Sequence, residues 1–61
     1  MNRQYYGWLG VSESASDEEI EARYNELKKK YSEDRFLEGE AGNEAARMLS
    51  RIETAYNEIM T

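Results

Sequence analysis

The sequence predicts an all-α fold: one small domain built on two antiparallel amphipathic helices, with a short helix packed against them. Two stretches, residues 17–31 and 43–60, place large apolar residues three and four positions apart, which is the spacing of one helix face. No stretch alternates apolar and polar residues as a half-buried strand would. The chain has 61 residues, enough for a single domain, and we therefore treat residues 1–61 as one unit.

The first element is a short apolar segment, which we expect to be helical over about residues 5–10. It contains three large aromatic residues, Tyr5, Tyr6 and Trp8, and is too short to be a stable helix alone. It must therefore pack on the rest of the chain. Gly10 is suited to end it, because glycine readily adopts the left-handed conformation that follows many helices.

The second helix, expected over about residues 17–31, carries its own start signal. Ser16 followed by Glu19 fits a capping box, in which the serine hydroxyl accepts a hydrogen bond from a backbone N–H of the first turn. Three consecutive lysines at positions 28–30 would lie in its last turn and complement the negative end of the helix dipole. Its apolar face has residues four, three and four positions apart: Ile20, Tyr24, Leu27 and Tyr31.

A loop over about residues 32–42 and a third helix over about residues 43–60 complete the predicted fold. Gly39 and Gly42 are expected to break helical structure in the loop, and Asn43 is suited to be the N-cap of the third helix. Seven residues at helical spacing form its apolar face: Ala45, Met48, Leu49, Ile52, Ala55, Tyr56 and Ile59. Two amphipathic helices joined by such a loop should lie antiparallel, so that each covers the apolar stripe of the other.

Composition argues against several kinds of partner. The formal net charge is −5, whereas a nucleic-acid-binding protein needs a basic surface to neutralise phosphates, so we expect no nucleic-acid partner. No run of about 18 apolar residues is present, so we expect no membrane-spanning segment. The absence of cysteine fits a reducing compartment, and the first residues are too polar for a signal peptide. We therefore expect a cytoplasmic protein.

The residue types also argue against an enzyme. Without histidine or cysteine, the common nucleophile–base pairs and the usual zinc sites cannot be assembled. The glutamates of the second helix lack a pocket that would tune them for acid–base chemistry, and their helical spacing gives poor calcium geometry. No glycine-rich phosphate-binding loop is present. We therefore predict no catalytic residue, no metal site and no cofactor.

Three sequence segments, in this order and with these gaps, resemble the J domain family. Residues 4–11 read QYYGWLGV where J domains read D-Y-Y-x-x-L-G-V. Residues 20–35 resemble the family's second helix and the motif that follows it, and residues 49–59 resemble the pattern F-x-x-I-x-x-A-Y-x-x-L. The resemblance implies a long hairpin of the second and third helices with the short first helix against it. It also implies a partner, since J domains bind DnaK-type chaperones and stimulate their ATP hydrolysis.

The sequence departs from the family at the positions that carry this function, which are a His-Pro-Asp triplet and a basic second helix. Ser32, Glu33 and Asp34 replace the triplet, so that only the aspartate is retained, and the following Arg35 also matches. Serine lacks the imidazole, and glutamate lacks the fixed backbone angle of proline and adds negative charge. Residues 17–31 contain five acidic and four basic residues, so this helix is net negative. Steering toward an acidic chaperone surface should be weakened.

Candidate partner-binding residues, by resemblance, are confined to the end of the second helix and the loop: Lys28, Lys29, Lys30, Ser32, Glu33, Asp34 and Arg35. Each has an ordinary alternative. In that alternative, the lysines are solvent-exposed residues that complement the helix dipole. Asp34 and Arg35 are then a solvated pair in the loop that contributes little to stability. Trp8 is either an exposed anchor for a partner or the residue that closes the open end of the core. The tyrosines, Leu27 and the isoleucines of the long helices are assigned to the core rather than to a ligand groove, because so short a chain needs them for burial.

The sequence therefore predicts a protein–protein interaction module with a J-domain fold that does not stimulate a DnaK-type ATPase by the usual mechanism. The alternative is an active or weakened co-chaperone of such an ATPase, in contact through Asp34, Arg35 and the lysines at positions 28–30. By resemblance, the partner is a DnaK-type chaperone or another J protein, since some J-like proteins without the triplet pair with true J proteins. The oligomeric state is left open.

Overall fold

A computed structural model describes residues 3–61, which form three helices. α1 spans Gln4–Leu9, α2 spans Asp17–Asp34 and α3 spans Glu40–Met60. No strand occurs within residues 3–61, and the predicted all-α class is confirmed. α2 and α3 pack along each other as a hairpin, and α1 packs mainly on α3 and more lightly on α2.

α1 ends at the predicted glycine and is fastened there to α2. Gly10 has a φ of 70°, and its N–H donates to the carbonyl of Gly7 while the next N–H donates to that of Tyr6. The carbonyl of Leu9, which has no partner further along α1, accepts a 3.0 Å hydrogen bond from Nε of Arg23. The end of α1 is therefore held by a side chain of α2.

α2 begins with the predicted cap. The Ser16 hydroxyl accepts a 3.2 Å hydrogen bond from the backbone N–H of Glu19 and donates one of 3.2 Å to the Glu19 carboxylate. Ser16 itself is extended, with φ −73° and ψ 164°, as expected for a residue just outside a helix. The local sequence thus fixes where this helix starts.

α2 continues to Asp34, beyond the predicted end at residue 31, and the connecting loop is shorter than the predicted 32–42, covering only residues 35–39. The cause lies at position 33, since glutamate keeps the backbone N–H that a continuing helix uses and a proline would remove it. The lysines at positions 28–30 consequently precede the last turn, which contains no basic residue. The prediction that they complement the dipole at the helix end is wrong.

α3 begins earlier than predicted, and its N-cap is Gly39 rather than Asn43. Gly39 has a φ of 72°, a conformation that residues with a Cβ rarely adopt. Gly42 does not break the helix but lies buried within its first turn. The loop backbone folds closely against it, so that a Cβ at this position would lie 2.1 Å from the carbonyl oxygen of Leu37. Glycine is needed here for close approach.

The core follows the seam between α2 and α3 and is closed by α1. Seven apolar residues of the described chain are buried: Leu9, Ile20, Leu27, Ala45, Leu49, Ile52 and Ala55. Tyr24 and Tyr56 stack beside them with ring centroids 4.3 Å apart, which joins α2 to α3 away from the bend. The predicted apolar stripes therefore do face each other. Among residues 3–61, no helix has the length and apolar character needed to cross a membrane.

Candidate functional site

The three lysines of the candidate site do not form one patch. Lys28, Lys29 and Lys30 are all exposed, but successive side chains on a helix diverge by about 100°, so they leave α2 on three different sides. The amine of Lys28 lies 5.6 Å from the ring centroid of Tyr24, and that of Lys30 lies 5.4 Å from the ring centroid of Tyr31. Each lysine therefore sits on a different part of the surface.

The triplet positions lie in the last turn of α2, not in a loop. Ser32 and Asp34 are half-buried and Glu33 is exposed. The backbone carbonyls of Glu33 and Asp34 accept hydrogen bonds from the N–H groups of Phe36 and Leu37, at 3.3 and 2.9 Å. These bonds fold the loop back on the helix end and fix the backbone at the position where the family resemblance places its contact loop.

Asp34 and Arg35, whose ordinary alternative to a partner contact is a solvated pair, form no ion pair with each other in the described part of the chain. Within residues 3–61, the ion pairs join Arg3 to Glu13, Arg23 to Glu26 and Arg47 to Glu40, and none involves a candidate site residue. The Arg35 guanidinium instead lies 5.5 Å from the ring centroid of Phe36.

An open groove of about 280 Å³ lies between α2 and α3 next to the bend. We call it the bend groove. It is lined by apolar and aromatic residues with charged residues at the rim: Tyr31, Leu37, Ala41, Ala45, Met48, Lys30, Asp34 and Glu44. Two predicted site residues, Lys30 and Asp34, thus meet at one surface feature. Tyr31, assigned to the core from the sequence, also forms part of its wall.

Two large apolar residues of the loop, one of them in the wall of this groove, were not predicted from the sequence. Phe36 is 81% exposed and Leu37 is 54% exposed, whereas the apolar residues on the facing stripes of α2 and α3 are buried or half-buried. Both residues stand in the predicted loop, outside any helical stripe. A large apolar residue that has no place in the core is expected to be exposed, and this could have marked them as candidates for binding.

The charge of α2 departs further from a basic contact helix than the sequence analysis expected. The extension through Glu33 and Asp34 brings the helix to seven acidic and four basic residues, a net charge of −3. Within residues 3–61, no group of three or more potential metal ligands is close enough to hold an ion.

Trp8 lies away from the bend, beside the middle of α3. Its ring packs edge-to-face against Tyr5, with centroids 5.2 Å apart, and the Arg51 guanidinium lies 5.8 Å from its centroid. The side chain is half-buried against the core. The ring therefore packs on the core, and its role as an anchor for a partner stays a prediction.

Comparison with known proteins agrees with this architecture. A family model described as the DnaJ domain matches residues 4–61, nearly the whole chain. The chain belongs to the DnaJ domain family. The predicted resemblance is confirmed, and with it the module's relation to co-chaperones, since J domains generally bind DnaK-type chaperones and are not themselves enzymes.

Curated relatives match the chain only through a small part of their own length. The chaperone protein DnaJ of Lactobacillus delbrueckii subsp. bulgaricus is 56% identical over 43 residues, which cover 70% of this chain and 11% of the relative. The chaperone protein DnaJ of Pediococcus pentosaceus is 54% identical over 33 residues, covering 54% of this chain and 9% of the relative. The chain thus spans about a tenth of these relatives. No solved structure gave a significant match.

Proposed function

We propose that this chain is a protein–protein interaction module that keeps the J-domain fold but does not stimulate a DnaK-type ATPase by the usual mechanism. One observation carries the proposal: the triplet positions hold Ser32, Glu33 and Asp34 within the last turn of α2. The imidazole and the proline are both replaced, and the backbone that should form a contact loop is helical. A partner that recognises the His-Pro-Asp triplet would therefore contact a surface whose shape and charge differ from those of the triplet.

The electrostatics of α2 support the same proposal. An acidic chaperone surface gains little attraction from a helix of net charge −3. The lysines at positions 28–30 offset this only in part, because they point to different sides of the helix. Association with such a surface should therefore be slow and weak as well as unproductive.

The test is single-turnover ATP hydrolysis by a DnaK-type chaperone with the chain in excess. We expect no acceleration over the chaperone alone, with an intact J domain as the positive control. Two matched variants make the result specific: Asp34→Asn alters the retained triplet residue, and Asp17→Asn makes the same change at the exposed start of α2. Acceleration by the unmodified chain that Asp34→Asn removes and Asp17→Asn leaves in place would contradict the proposal.

A weakened co-chaperone is the second candidate, favoured by the 56% identity to a chaperone protein DnaJ over 43 residues. In this case Asp34, Arg35 and the lysines at positions 28–30 would still contact the ATPase. Titration calorimetry against a DnaK-type chaperone and, separately, against an intact J protein distinguishes the partners. Binding to the chaperone together with acceleration supports this candidate, whereas binding only to the J protein supports a regulatory module.

We further infer that the chain itself has no catalytic residue, metal or cofactor, since its sequence lacks both histidine and cysteine. A cytoplasmic location and the lack of a nucleic-acid partner remain predictions from composition and charge. Fractionation of the native host and a filter-binding assay with duplex and single-stranded nucleic acid would test them.

A further inference from the structure

α1 covers only part of the side of the hairpin on which it packs. Arg23 of α2 and Arg51 of α3 mark that side, because both side chains contact α1. Lys30 follows Arg23 by seven residues and Glu44 precedes Arg51 by seven, which is about two helical turns, so both lie on the same side but nearer the bend. The bend groove, with Lys30 and Glu44 at its rim, is therefore the uncovered continuation of the surface that holds α1.

The loop next to the groove projects an apolar side chain that its own chain does not cover. Phe36 is 81% exposed and does not line the bend groove, whereas its neighbour Leu37 forms part of the groove wall. The exposed ring therefore projects from the same loop whose next residue forms part of the groove wall. In a two-fold interface the same surface patch of both subunits is in contact. A projecting side chain of each subunit can therefore enter a neighbouring recess of the other.

The charges beside the projecting ring complement those at the groove rim. The loop carries Arg35 before the two apolar residues and Glu38 after them. The rim carries the carboxylates of Asp34 and Glu44 and the amine of Lys30. A second copy of the loop lying in the groove would bring its arginine toward carboxylates and its glutamate toward a lysine. This complementarity favours a copy of the chain over a strongly acidic or strongly basic partner.

We propose that two copies of the chain associate bend to bend, each placing Phe36 in the bend groove of the other. The net charge of −5 opposes association of the whole molecules, but basic and acidic residues are interleaved around the bend. A contact limited to this end buries less than the ~1,200–2,000 Å² of a stable specific interface, so the dimer is weak, with a Kd of ~100 µM.

Sedimentation equilibrium over a concentration series reaching about ten times that Kd tests the proposal. The chain should pass from monomer to dimer, and Phe36→Ser should remain monomeric. Met60→Ser is the matched control, because Met60 is also an exposed apolar residue, at 38%, but lies at the far end of α3. A chain that stays monomeric throughout overturns the proposal and leaves the groove to a different protein. Equal dimerisation of the Phe36→Ser and Met60→Ser variants also overturns the proposal, because the effect would then not depend on the bend.

A charge exchange tests the arrangement itself. Arg35→Glu and Glu44→Arg should each weaken the dimer at least ~5-fold, since each creates like-charge contacts twice in the symmetric pair. An equimolar mixture of the two variants should dimerise again, because each copy then offers the charge that the other lacks. A mixture that associates no better than either variant alone overturns the bend-to-bend geometry. Circular dichroism of each variant confirms that the helices are intact.

Discussion

Two regions of the hairpin use their apolar residues differently. Away from the bend, α1 lies across α2 and α3, and the side chains of Leu9 and Ile52 are completely buried. At the bend, Phe36 and Leu37 are exposed and the groove between the helices is open. The residues typical of the J domain family are kept in the buried seam, while the triplet beside the bend is changed. Burial is therefore concentrated where α1 packs on the hairpin, and apolar exposure is concentrated at the bend.

The largest effect should come from truncating a leucine away from the bend. Leu9→Ala removes a fully buried side chain and should cost ~2–5 kcal/mol, which is most or all of the stability of so small a domain. Leu37→Ala makes the same change at the bend, where the side chain is 54% exposed, and should cost ~0.5 kcal/mol or less. Urea denaturation followed by circular dichroism measures both. Equal destabilisation by the two variants would remove the contrast between the two regions.

A smaller effect should show that the bend has one tight backbone contact despite its open surface. Gly42→Ala places a Cβ against the Leu37 carbonyl and should cost ~1–3 kcal/mol in the free energy of unfolding. Gly7→Ala is the control, because a Cβ there meets nothing within 4 Å, and it should stabilise α1 by up to ~1 kcal/mol. If thermal denaturation gave the two variants the same Tm, the close approach at Gly42 would be disproved.

The smallest effect should come from the arginines of the two regions. Arg23→Gln loses the hydrogen bond from Nε to the Leu9 carbonyl and should cost about 1 kcal/mol. Arg35→Gln removes an exposed charge without a salt bridge among residues 3–61 and should change the unfolding free energy by less than ~0.5 kcal/mol. Chemical denaturation of both variants checks this order. A larger loss in the Arg35 variant would show that the bend contributes to stability.

Much of the fold could be predicted from the sequence because its signals are local. The spacing of Ile20, Leu27 and their partners predicts the facing stripes, Ser16 marks the start of α2, and Gly10 marks the end of α1. The end of α2 was misplaced because no residue between 31 and 35 stops a helix. Gly42 was interpreted as a breaker because its reason, the nearby loop backbone, is visible only in three dimensions.

The candidate site could be predicted only in part. The resemblance pointed to the correct end of α2, and two of its residues, Lys30 and Asp34, lie at the groove rim. The groove itself was missed because its walls come from both long helices, with Tyr31 on one and Met48 on the other. A groove between two helices depends on how the helices pack against each other, and this packing cannot be predicted from either segment alone.

The central claim is that the scaffold is intact and that the changed triplet removes ATPase stimulation. The most direct measurement restores the triplet with Ser32→His and Glu33→Pro and compares this variant with the unmodified chain in single-turnover ATP hydrolysis by a DnaK-type chaperone. We predict that the restored variant accelerates hydrolysis and that the unmodified chain does not. Equal acceleration by the unmodified chain would contradict the account, because Ser32 and Glu33 would then be no obstacle to stimulation.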